Sequence, residues 1–146
     1  MGKVRRALCW LLALACMACP CALAAGEGTA MTLTTSVECA DYHFVGNEWT
    51  EILFLDGTMV AVYTNDALLQ ATEEVRLRAG ETVNVSAFVL ESDNGYPEYG
   101  ESHEARTITR KDLEKGFDIS LDVVVEENAG QYRDQKAVWK VRFSFR

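Results

Sequence analysis

The sequence predicts an all-β fold: a two-layer antiparallel β-sandwich of the Ig-like class with about seven strands, following an N-terminal signal helix. Three observations predict it. Apolar residues recur at alternate positions from Met31 to the last residues, turn residues break that alternation roughly every eight to twelve positions, and helical periodicity is confined to scraps.

The first segment is read by a different rule. Lys3, Arg5 and Arg6 form a positive start, Ala7 to Cys19 is an uncharged apolar run, and Ala22-Leu23-Ala24 offers the small residues a signal peptidase needs, with Pro20 just before them. The expected division is a signal peptide over 1–24 and a single domain over 25–146. A retained anchor is the alternative reading of the same run, weakened by Pro20 and by the alanine and cysteine content. No cysteine is preceded by a lipoprotein box.

Cleavage changes the composition that matters. Cys9, Cys16, Cys19 and Cys21 leave with the signal, so the domain keeps Cys39 alone and no internal disulfide. A core must then hold it, which about 120 residues can supply. Cys39 falls in an alternating strand and reads as a small, buried, apolar side chain. Removing Lys3, Arg5 and Arg6 from 14 basic residues leaves 11 against 22 acids, a net charge of −11. That charge argues against nucleic acid and against anionic membrane as partners of the mature form.

The strands follow in order. Met31, Leu33, Thr35, Val37 and Cys39 form one row of the first, against Thr32, Thr34, Ser36 and Glu38. Trp49 to Leu55 reaches Asp56-Gly57, a two-residue hairpin turn, and resumes as Thr58 to Thr64. From Asn65 to Glu74 the alternation stops, which predicts a short helix or a loop; Glu74 to Arg78 is a local pairing segment. Thr82 to Glu91 is the longest clear strand, with Val83, Val85, Ala87 and Val89 on one face and Asn84, Ser86, Phe88 and Leu90 on the other. Ser92 to Ser102 reads as irregular, and the chain resumes as a strand near Glu104. Thr109 caps a helical turn over Arg110 to Lys115, with Asp112 three residues on and Gly116 as its stop. Phe117 to Glu126 and the final run, with Ala137, Trp139, Val141, Phe143 and Phe145 inward, complete the set.

Catalytic chemistry finds no pattern. The only histidines are His43 and His103, there is no Gly-x-Ser-x-Gly, and with 22 acids some carboxylate pair satisfies a glycosidase separation by chance. The chain therefore reads as non-catalytic, with a small secreted hydrolase as the remote alternative.

Binding chemistry concentrates in one segment. Tyr96 and Tyr99 flank Pro97-Glu98, and tyrosines beside a carboxylate can stack on a sugar ring while hydrogen-bonding its hydroxyls. Tyr96, Tyr99 and Glu98 are thus the expected ligand-binding residues for a protein or glycan partner. Glu91, Asp93, Glu101 and Glu104 supply hard oxygen ligands for calcium, without EF-hand spacing, and make calcium-dependent binding the second reading. The expected function is a monomeric, secreted or periplasmic binding or adhesion module.

Overall fold

The computed structural model describes residues 28–42, 48–65, 67–71, 74–92, 97–128 and 133–146. The expected signal peptide over 1–24, its cleavage site and His43 lie outside the described residues. Nine strands and one helix are present among them: β1 (Thr29–Tyr42), β2 (Trp49–Leu55), β3 (Thr58–Thr64), β4 (Ala67–Ala71), β5 (Glu74–Leu77), β6 (Thr82–Glu91), β7 (Glu98–Thr107), α1 (Arg110–Lys115), β8 (Phe117–Glu126) and β9 (Lys136–Phe145). They form two antiparallel sheets, ordered β5-β1-β9-β8 and β4-β3-β2-β6-β7. The all-β sandwich is thus the fold.

The inward rows are those the alternation marks. Leu53 and Leu55 from β2, Val83 to Val89 from β6, Phe117 to Val125 from β8 and Ala137 to Phe145 from β9 bury one side chain in two between the sheets. Each fully buried branched or aromatic side chain contributes about 1.5–3 kcal/mol relative to exposure. Trp139 packs on Trp49 with ring centroids 5.1 Å apart, and Phe117 stacks on Phe145 at 4.5 Å. Cys39 is half-buried, packed on the edge of this core, and its Sγ–H points to the Asp41 carbonyl.

Local chemistry sets the turns. Asp56 and Gly57 have φ of 48° and 76°, the left-handed pair that matches strand twist in a two-residue hairpin. Asp56 Oδ1 also accepts from the backbone N–H and side-chain amide of Asn84, tying the hairpin to β6. Helix α1 carries the predicted capping box: Asp112 N–H donates to Thr109 Oγ1, and Thr109 N–H donates to the Asp112 carboxylate.

Asp112 also takes an ion pair from Arg106 at 2.7 Å, and the Arg106 guanidinium lies 4.8 Å from the centre of the Phe117 ring. The Thr109 hydrogen bonds, more than Arg106, hold the Asp112 carboxyl below its usual value of 3.8. A lowered folded-state pKa contributes stability that is present above the unfolded value and is lost as pH falls through the folded one. Thermal melts of wild type should therefore fall below about pH 4, and Asp112→Asn should shrink that fall; an unchanged acid slope would discount the cap.

Two expectations are corrected here. Residues 67–71 form β4 rather than a helix or loop, because pairing with β3 supplies the ladder that the helix-favouring Ala-Leu-Leu-Gln-Ala sequence does not itself call for. Strand β7 begins at Glu98 rather than near Glu104, because every residue from Glu98 to Thr107 pairs with β6. The first of these, together with β5 pairing with β1 rather than locally, raises the strand count from the predicted seven to nine among the described residues.

Candidate functional site

The two sheets present different outer faces. On the four-stranded sheet, β8 turns out Asp118, Ser120, Asp122 and Glu126, and β9 turns out Lys136, Lys140 and Arg142, with Arg146 just beyond its end. Register sets Asp122 opposite Lys140 and Glu126 opposite Lys136, while Asp118 takes ion pairs from Arg142 and Arg146. Burial opposes ionisation of Asp118, but hydrogen bonds from Ser144, Arg142 and Arg146 outweigh it and lower its pKa. This face is a self-neutralised charge ladder, each exposed pair worth well under about 1 kcal/mol.

The five-stranded sheet is different. Its outward residues include Ile52 and Phe54 from β2, Met59 and Val62 from β3, Phe88 and Leu90 from β6 and Tyr99 from β7, all half-buried or exposed. Residues opposite one another on neighbouring strands share a face. Register therefore aligns Phe54, Ser86 and His103 in one cross-strand row, and Ile52, Phe88 and Glu101 in the next. Ser86 is the small member among larger neighbours, and a shallow cleft of about 260 Å³ opens over it, lined by Phe54, Ser86, Phe88, Glu101 and His103. Tyr99 is 64 % exposed and stacks on Phe88 with centroids 5.4 Å apart and planes 24° from parallel. A pre-stacked pair of rings, one exposed and one half-buried, beside a carboxylate and an imidazole suits recognition, since the rings are rigid and lose little entropy on binding.

A second cluster lies inside one end of the sandwich. Glu51, Glu91 and Glu98 sit in the inward rows at 0 %, 1 % and 1 % exposure, where Glu91 pairs in register with both Trp49 and Glu98. Glu98 Oε1 lies 3.5 Å from Asn128 N, its Oε2 has no hydrogen-bond partner among the described residues, and Glu51 and Glu91 are themselves engaged. The loop above is closed by Glu127 N–H donating to Gln135 O and Asp134 N–H donating to Glu127 O.

The predicted site residues separate in the fold. Tyr99 faces out and Glu98 faces in, because consecutive residues of a strand point to opposite faces; the two cannot grip one ligand. Tyr96 and Asp93 lie outside the described residues. Of the expected calcium ligands, Glu91 is buried inward, Glu101 lies outward opposite Phe88, and Glu104 is exposed on β7 opposite Val85, so the set is not brought together. Among the described residues no three histidine, cysteine or acidic side chains are placed to hold one metal ion. The sequence reading missed Phe54, Ser86 and Phe88 as site residues, although the outward apolar pair Phe88 and Leu90 in β6 is visible in the alternation.

No family model matches the chain, and no curated protein does. Among solved structures it is similar to a C2 domain of plant extended synaptotagmin 1, at 14 % identity and a TM-score of 0.38 over 82 % of this chain and 95 % of that one. A second C2 domain is similar at 9 % identity and a TM-score of 0.39, over 79 % of this chain and 97 % of that one.

Proposed function

We propose that this protein is a non-catalytic, exported binding module that engages its ligand through the outer face of the five-stranded sheet. The observation that carries this reading is the stack of exposed Tyr99 on half-buried Phe88 beside the cleft over Ser86, on a face whose counterpart across the sandwich is mostly charged and polar. A contiguous exposed apolar face rimmed by polar groups marks an interaction site more often than a bare surface. Glycan and protein ligands both fit an aromatic platform. Export supplies the compartment, and the mature acidic charge keeps the free protein dispersed.

A double variant, Phe88→Ser with Tyr99→Ala, should leave the melting temperature within a few degrees, since neither side chain is in the core, and should abolish binding on glycan and extracellular-protein arrays. Retained binding by a folded double variant removes this face from the reading.

Calcium is a second reading, favoured by the burial of Glu51, Glu91 and Glu98 in one corner. An ion there would need ligands from beyond the described residues as well as Glu98 Oε2. Bound calcium would stabilise the native state by ligand linkage. Millimolar calcium should then raise the melting temperature by several degrees over chelator; identical melts dismiss it.

A further inference from the structure

We infer that the cleft over Ser86 receives a cationic side chain, the guanidinium or ammonium of an arginine or lysine, presented by a protein partner beside apolar residues. This rests on the binding-face reading and names its partner. Phe54 and Phe88 wall the cleft from β2 and β6, and Glu101 places a carboxylate on it from β7. A cation over an aromatic face gains from the ring quadrupole, and a nearby carboxylate adds a charge-assisted hydrogen bond. Glu101 is exposed and enters no ion pair among the described residues. Charge complementarity points the same way. Strands β2, β3 and β6 contain no lysine or arginine, and the single one in β7, Arg106, turns away to Asp112 and Phe117. The basic residues of β9 lie instead on the opposite sheet, where Glu126 pairs with Lys136, Asp118 pairs with Arg142, and Asp122 stands opposite Lys140. Ile52, Val62, Leu90 and Tyr99 extend the apolar surface along one side of the cleft, which fits side chains flanking the cation on a protein and gives a free small cation nothing to fill.

The test uses a dye-labelled peptide of alternating leucine and arginine, the same peptide with neutral citrulline for arginine, and tetramethylammonium as a free cation, titrated at physiological salt. The arginine peptide should bind at least about tenfold tighter than the citrulline peptide. Glu101→Gln should weaken it about fivefold or more, whereas Asp122→Asn, removing the same charge from the opposite sheet, should change it less than about twofold. Equal losses in the two variants would mean unspecific attraction to an acidic protein and overturn the inference. Tetramethylammonium binding tighter than the peptide would replace the protein partner with a small quaternary amine and overturn it too. Equal affinity for the two peptides, with binding still lost in Phe88→Ser, defeats the cation and leaves the binding face standing. Arginine-peptide binding untouched by Phe88→Ser defeats both.

Discussion

Gly100→Val should cost about 3 kcal/mol or more and lower the melting temperature by well over about ten degrees. Strands β7 and β8 are the edges of their respective sheets, and they close one side of the sandwich by running against each other. The contact is possible because Gly100 has no side chain: a Cβ there would overlap the carbonyl of Val124 and press on the Val123 side chain. The obstacle is backbone in a paired strand, which cannot rotate aside as a flexible side chain can. Even Gly100→Ala should destabilise by about 1–3 kcal/mol. The measurement is a denaturant or thermal unfolding curve, and a variant within about 0.5 kcal/mol of wild type would show that the two edges do not approach as described.

Trp139→Ala should be as damaging, at about 3–5 kcal/mol. The side chain is 2 % exposed and lies on Trp49, so truncation leaves a cavity walled by rigid strands and strips Trp49 of its partner. Trp139→Phe tells packing from hydrogen bonding. The indole Nε1 has no hydrogen-bond partner among the described residues, so phenylalanine removes volume but no satisfied donor. It should cost about 1–2 kcal/mol, well below the alanine variant. A phenylalanine cost equal to that of alanine would mean that the indole N–H is paired after all.

The site is much less legible in the sequence than the fold. Ile52, Leu53, Phe54 and Leu55 form an unbroken apolar run, in which period two cannot tell the outward row from the inward one, so Phe54 does not stand out from the core. Phe88 does fall on the polar face of its strand, but nothing local says which side chains of β2 and β7 lie beside it. In Ser92 to Ser102 the turn residues dominate, which groups Glu98 and Tyr99 as neighbours in a loop; a strand places them on opposite faces. The glutamates at 91 and 98 look solvent-facing by composition, yet register with the core row of β6 carries them inside.

What is local can be read directly from the chain. The alternation in β1, β6, β8 and β9 marks the buried rows, Asp56-Gly57 marks the hairpin, and Thr109 with Asp112 and Gly116 marks the capped turn, because each signal lies within a few residues and acts through backbone geometry. What depends on pairing between distant segments emerges only when the sheets assemble. Register brings Phe54, Ser86 and His103 into one row and sets Glu101 beside Phe88, and the packing of the two sheets presses Gly100 against Val124. Such juxtapositions follow from ladder hydrogen bonds and sheet packing summed over the whole domain, and no short stretch of the chain encodes them.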